Sequence, residues 1–298
     1  MSATATRAQA RPLDEVKLIA NDLRCDIIRM LEASKSGHPG GSLSAADIMA
    51  TLWFSDVMAY DPADPAWDGR NYFILSKGHA APVLYAVFHQ LGWIGDEDIL
   101  TLRQLGSKLQ GHPDKHACPG VEVCSGSLGQ GLSVSSGVAL GLRMDAERDG
   151  GSPRTVFCLC GDGEMQEGSN WEALMFAAHQ GLDNLTMILD LNNLQIDGHV
   201  TDVCSLGDIE AKLAAFGWGV RTVNGHDVQA VHDALVEARD TTGAPQAVVC
   251  RTVKGKGVSF MEDQAGWHGK APSHEQAEQA LAELVEQRTL LEKEANNG

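Results

Sequence analysis

No C-x-x-C pair occurs among the 7 cysteines, at positions 25, 118, 124, 158, 160, 204 and 250. That spacing offers no zinc ribbon, and an odd, scattered set offers no disulfide framework. No apolar run approaches the ~20 residues of a membrane span. The opening stretch MSATATRAQARPLDE lacks the apolar core of a secretory signal. Basic charge is scarce as well, with 23 Lys and Arg against 40 Asp and Glu and a formal net charge of −17. Such an excess argues against nucleic acid or an anionic membrane as partner. It also means that an anionic ligand needs compensation from a metal ion or from backbone N–H groups. The G-x-G-x-x-G loop of dinucleotide-binding proteins is missing too. These absences predict a cytoplasmic protein.

What is present has room for a sizeable core: 298 residues, 43% hydrophobic and 21% charged, enough for one large domain or two modest ones. Helical spacing runs through LDEVKLIANDLRCDIIRML from Leu13 to Leu31, and the glycine-rich loop SKSGHPGGSLS follows it. After Pro153 strands alternate with helices: TVFCLC, EALMFAAHQGL, LTMILDL, IEAKLAAF, WGVRTV, VQAVHDALVEA and QAVVCRTV. That alternation predicts an α/β fold, a parallel sheet with helices on both faces. SHEQAEQALAELVEQRTLLEKEA then reads as a charged amphipathic helix.

In an open parallel sheet, ligands bind beyond the carboxyl ends of the strands. GDGEMQEG follows TVFCLC there, and NNLQIDG follows LTMILDL at the next strand end. Residues 164–191, between Gly163 and Asn192, are about the length of a helix with its turns in a βαβ unit. Asp162 and Asn192 therefore fall at neighbouring strand tips. A carboxylate, an amide oxygen and a nearby carbonyl suit Mg²⁺ or Ca²⁺ better than zinc. A pair of ordinary turns is the other reading, since Gly, Asp and Asn are common turn residues. His38, His79, His112 and His268 each lie in a loop flanked by glycine or proline. Four such histidines in an acidic chain point to an anionic or hydroxylated ligand and to proton transfer near neutral pH.

Gly-Asp-Gly with a downstream Asn-Asn resembles the thiamine diphosphate (ThDP) motif. SKSGHPGGSLSAADI, FILSKGHAAPVLYA and GHPDKHACPGVEVCSGSLGQGL, in that order, resemble transketolase from about Leu13 to Ala271. The resemblance implies a ThDP-binding fold and a cofactor held through Mg²⁺, with Ca²⁺ or Mn²⁺ as substitutes. Carried over residue by residue, the metal ligands are Asp162, Asn192 and the Leu194 carbonyl. The cofactor-binding positions are His79, Gly126, Leu128, Gly161, Asp162, Gly163, Glu167, Asn192 and His268. His38, His112 and His268 carry the catalytic assignments, with His38 and His112 on the sugar hydroxyls. Glu167 and Glu172 match a carboxylate network between subunits, though acids near a helix N-terminus also suit its dipole. Lys254 and Lys256 stand in a glycine-loosened loop, over the site or simply solvated.

The same resemblance divides the chain into a disordered leader (1–12), a diphosphate-binding domain (13–272), and a helix and tail (273–298) where an interdomain linker falls. In that family the glutamate that activates the aminopyrimidine, and the arginine and serine that grip the sugar phosphate, belong to a second domain. The implied protein is the N-terminal subunit of a split transketolase, inactive without a C-terminal subunit carrying the pyrimidine-binding and C-terminal domains. An α₂β₂ assembly would move a two-carbon ketol unit between sugar phosphates. Lys77, where longer relatives tend to have asparagine, and GHPGGSLSAADI resemble the short two-gene forms. Other readings are a split transketolase for an unusual sulfonated or branched ketose, the α chain of a 2-oxo acid dehydrogenase, a non-catalytic ThDP-binding protein and a metal-dependent phosphatase.

Overall fold

The computed structural model describes residues 9–297. Of the expected leader, residues 1–8 lie outside the described residues, while the Arg11 N–H donates to the Phe54 carbonyl at 2.8 Å. The first part of the chain comprises α1 (Leu13–Ser34), α2 (Pro39–Ser44), α3 (Ala46–Phe54), β1 (Tyr72–Leu75), α4 (Ala81–Gln90), α5 (Asp96–Ile99) and α6 (Gln130–Asp149). There follow β2 (Val156–Gly161), α7 (Gly168–Gln180), β3 (Leu185–Leu191), β4 (Leu194–Gln195), β5 (Gly198–His199), α8 (Val200–Cys204) and α9 (Ile209–Ala215). The chain continues through β6 (Gly219–Asn224), α10 (Val228–Asp240), β7 (Gln246–Arg251) and α11 (His274–Asn297). No helix among the described residues is long and apolar enough to cross a membrane.

Five strands pair in the order β1-β2-β3-β7-β6, all parallel. Successive side chains of a strand leave on opposite faces, and the strands use this to feed two cores. Phe157, Leu159, Ile188, Val248 and Cys250 join residues of α1, α3, α4, α10 and α11 on one face. Cys158, Cys160, Met187, Leu189 and Val249 join α6, α7 and α9 on the other. Burial on both faces explains the near-continuous apolar runs of β2, β3 and β7.

Two elements depart from the expected pattern. The glycine-rich loop contains α2, whose sequence PGGSLS opens with proline at its first position, where a preset φ suits a helix start. Its glycines allow close approach, since a Cβ on Gly40 would stand 3.0 Å from Lys254 Cγ. The β4–β5 hairpin turns at Ile196-Asp197, directly after Asn192 and Asn193.

A buried ion pair ties the helical layer to the strand ends. Arg24 Nη1 donates to Asp47 Oδ1 at 3.1 Å, joining α1 to α3. His226 Nδ1 meets Asp47 Oδ2 at 2.7 Å, and His226 Nε2 accepts the Val253 N–H at 2.8 Å. The second bond assigns the ring proton to Nδ1. This chain of contacts anchors the segment beyond β7 that carries Lys254.

Candidate functional site

The carboxyl ends of β1, β2, β3 and β7 meet around a cavity of about 200 Å³. Its walls include His79, Leu128, Gly161, Asp162, Gly163, Glu167, Asn192, Leu194 and His268, all expected on sequence grounds. Asp162 Oδ1 accepts the Gly163 N–H at 2.7 Å, and Oδ2 accepts the Asn193 N–H. Burial, and then the nearby Asp190 charge, push its carboxyl up to about 6 against those N–H groups. Asn192 donates Nδ2 to Asp190 Oδ2 at 3.1 Å, which turns its Oδ1 toward the Leu194 N–H, also at 3.1 Å. The Leu194 carbonyl accepts from Lys254 Nζ at 2.6 Å.

These groups fit a hard divalent cation. A carboxylate, an amide oxygen and a carbonyl border one cavity, and a metal ion on that carbonyl would take the place of the Lys254 ammonium it accepts from here. Mg²⁺ favours such oxygens and keeps further positions for phosphate and water.

Beneath them lies a buried charge network. Lys77 pairs with Asp190 and donates to the Gly41 carbonyl at 2.8 Å. Ser44 Oγ, at 2.7 Å, and Thr252 Oγ1 also donate to Asp190. Burial opposes the Asp190 charge, but the Lys77 ammonium and these donors hold its carboxyl below the ordinary range. The network fixes the ends of β1, β3 and β7 against α2.

Three of the loop histidines come together. Ring centroids lie 5.3 Å apart for His38 and His79, 5.6 Å for His38 and His268, and 5.2 Å for the stacked His79 and His268. Burial first, and then neighbouring cations, lower His38 to about 4 and His268 to about 3, and hold His79 well below the usual imidazole value. Near neutral pH these rings are uncharged and can serve as acceptors or donors. Lys254 Nζ also meets His268 Nδ1 at 2.6 Å. Burial, and then Lys77, bring the Lys254 ammonium down to about 8 against the pull of Asp162 and Asp190.

His112 does not line the cavity. It packs under Gly126, where φ is +143° and a Cβ would stand 2.9 Å from His112 Cγ, so glycine is needed there. Gly126 in turn abuts Gly78, the neighbour of His79: a Cβ on Gly78 would fall 2.7 Å from the Gly126 nitrogen. Arg103 links the two outer histidines. Its Nη2 lies 3.4 Å from His38 Nδ1, and burial followed by its charge lowers His112 as well.

Sequence reasoning missed Arg103, Glu164 and Asp190, and left Lys254 open. Glu164 is buried and accepts from Ser76 Oγ at 2.6 Å, Gly129 N at 2.9 Å and Gly161 N at 3.0 Å. It sits inside the motif that directed attention to Asp162, so its carboxylate was the available signal. Glu167 and Glu172 are exposed, and Glu172 lies outside the cavity wall. Lys254 points into the cavity, whereas Lys256 pairs with Glu262 at 3.1 Å.

A parallel α/β sheet thus carries a hard-oxygen set, a buried lysine and a histidine cluster at adjoining strand ends. The family model for "Transketolase, thiamine diphosphate binding domain" matches residues 15–286, and the chain belongs to that family. It is 41% identical over 283 residues to transketolase-like protein 2 of Mus musculus, covering 95% of this chain but only 44% of that one. Against an apulose-4-phosphate transketolase subunit of Actinobacillus succinogenes it is 39% identical over 275 residues, covering 92% of this chain and 97% of the relative. The solved transketolase of Leishmania mexicana superposes with a TM-score of 0.86 at 34% identity, over 93% of this chain and 42% of that chain. The chain thus spans less than half of the long relatives and nearly all of the short one. Identity is similar to both, so it does not by itself favour the short forms that Lys77 and GHPGGSLSAADI suggested.

Proposed function

We propose that this chain is the diphosphate-binding subunit of a two-subunit transketolase, with residues 13–272 as its domain and residues 273–298 where a linker falls in longer relatives. The observation that carries this reading is the convergence of Asp162, Asn192, the Leu194 carbonyl, His79, His268 and Lys254 on one cavity. Near-complete coverage of a relative that is itself named as a transketolase subunit supports the split. Asp162, Asn192 and the Leu194 carbonyl would hold Mg²⁺, or Ca²⁺ or Mn²⁺ in its place, while Lys254, His79, His268 and the Gly163 N–H meet the diphosphate. Bound there, ThDP supplies the electron sink for cleaving the bond beside a ketose carbonyl. His38 and His112 bind sugar hydroxyls and move protons, with uncharged His38 ready to accept one. Gly126 and Leu128 flank the cofactor's rings, while Gly161 and Glu167 shape the same wall.

The partner is a C-terminal subunit with the pyrimidine-binding and C-terminal domains, in an α₂β₂ assembly that transfers a two-carbon ketol group from a ketose phosphate to an aldose phosphate. All 7 cysteines are free, which supports a reducing, cytoplasmic setting. The test is ketol transfer from xylulose 5-phosphate to ribose 5-phosphate with ThDP and Mg²⁺, run on the chain alone and with its partner present. Activity in the mixture only is the expected result, and activity of the chain alone would overturn the split. The name of the short relative favours one second reading, an unusual ketose. Apulose 4-phosphate is therefore assayed alongside, and a higher kcat/KM for it would reassign the substrate. Failure of ThDP to bind the complex in a Mg²⁺-dependent way would overturn the cofactor assignment.

A further inference from the structure

The loop from His112 to Gly126 carries a set of side chains that ketol transfer does not use. Cys124 Sγ donates to Asp114 Oδ1 at 3.3 Å, and the same oxygen accepts the His116 N–H at 2.9 Å. One ligand atom from each of Asp114, His116 and Cys124 lies within 4.8 Å of the other two. Among the described residues this is the one group of three or more His, Cys, Asp or Glu side chains that meets so closely. Backbone bonds brace it. The Asp114 carbonyl accepts from Ala117 N at 3.1 Å and Cys118 N at 3.0 Å, and the Pro113 carbonyl accepts from Ser125 N at 3.2 Å.

We propose that Asp114, His116 and Cys124 form a second metal site, for a borderline-soft dication of the Zn²⁺ class. Ligand atoms around tetrahedral zinc stand roughly 3.3–3.7 Å apart, as bonds of ~2.0–2.3 Å require. The sulfur and the carboxylate oxygen already have that separation, and rotation of the exposed His116 side chain brings in the third ligand. On binding, the Cys124 S–H bond breaks, its proton passes to the buffer, and a sulfur–metal bond forms. Thiolate and carboxylate then neutralise the dication, and water takes the fourth position. Mg²⁺ prefers oxygen ligands and stays with Asp162 and Asn192. The bound ion links the segment just after His112 to the segment just before Gly126. Because Gly126 packs on the His112 ring, occupancy holds that histidine in place.

The test titrates Zn²⁺ alone into the purified full chain against a chromophoric chelator, with excess Mg²⁺ present. One Zn²⁺ per chain is expected, with affinity at least ~10-fold weaker in Cys124→Ser and in His116→Gln. Cys204→Ser, at another exposed thiol, should bind as the unaltered chain does. Co²⁺ in place of Zn²⁺ should give near-ultraviolet thiolate-to-metal absorption that Cys124→Ser lacks. Absence of a saturable site, equal affinity in the Cys124 or His116 variant, or loss of binding in Cys204→Ser would overturn the assignment.

Discussion

Lys254 is one of two buried lysines in the cavity wall. It is buried, it touches the Leu194 carbonyl and His268, and it is the cation that a diphosphate would meet beside the metal. Charge-assisted bonds of this kind contribute ~1.5–3 kcal/mol each. Lys254→Met should therefore weaken ThDP binding to the assembled enzyme about 10- to 100-fold by calorimetry; unchanged affinity would remove Lys254 from the cofactor site. Arg103 acts at the other end. Burial is the main reason His38 sits at about 4, and the Arg103 charge is the next. A nearby cation disfavours imidazolium, so Arg103→Met should raise the His38 value, read from its ring resonances across a pH titration. A value unchanged or lower would mean that Arg103 does not act on this ring. The aspartate, the asparagine and three of the four loop histidines were legible in the sequence because glycine, proline and strand ends framed them; His112, framed in the same way, stands outside the cavity wall. Arg103 was not. It stands in TLRQLGSK, reads as an ordinary surface charge, and reaches His38 through a left-handed backbone at φ +62° that no local pattern announces.

At the scale of elements, the β-α alternation after Pro153 was legible because β2, β3 and β7 are buried on both faces and read as short apolar runs. LTMILDL matches β3 residue for residue. The small elements were hidden for identifiable reasons. PGGSLS has too few apolar residues to display helical spacing, and its two glycines disfavour a helix by about 1 kcal/mol each. Tertiary contact decides α2, through the Lys77 bond to the Gly41 carbonyl and the approach of Lys254 to Gly40. Asp190 was likewise invisible as a network residue, since an acid within an apolar strand shows its partners only after folding. The Arg24–Asp47 pair is the clearest energetic counterpart, with side chains 7% and 10% exposed. Arg24→Met leaves Asp47 buried with only His226 beside it, which should cost ~3–5 kcal/mol in urea unfolding. A loss below ~1 kcal/mol would mean that His226 alone suffices to hold the charge.

For the whole molecule, strand order is what makes a site. Because β7 inserts between β3 and β6, the end bearing Lys254 lies beside the end bearing Asn192, and β2 adds Asp162 on the other side of β3. Near one wall of that site the surface turns apolar. Leu128 contributes to the cavity and is 36% exposed; on the neighbouring helices, Val134 of α6 is 39% exposed, and Met175 and Phe176 of α7 are 60% and 40% exposed. Glu167 and Glu172 precede the α7 residues, at the start of that helix. Within a single chain these side chains stay 36–60% exposed, and Leu128 among them lines the cavity, to which the proposed second protein would bring the pyrimidine half. A partner seated on α6 and α7 would bury them and close the cofactor in the same movement. Phe176→Asp should therefore raise the dissociation constant of the assembly at least ~10-fold, as loss of a buried aromatic anchor does. The variant chain alone should keep its stability to within ~0.5 kcal/mol, because the substitution is at the surface. Sedimentation of the mixed subunits reads the first effect and urea unfolding the second. An assembly of unaltered mass and affinity would show that this face stays open, and the partner would then have to approach the cavity across the β4–β5 hairpin, where Ile196 is 69% exposed.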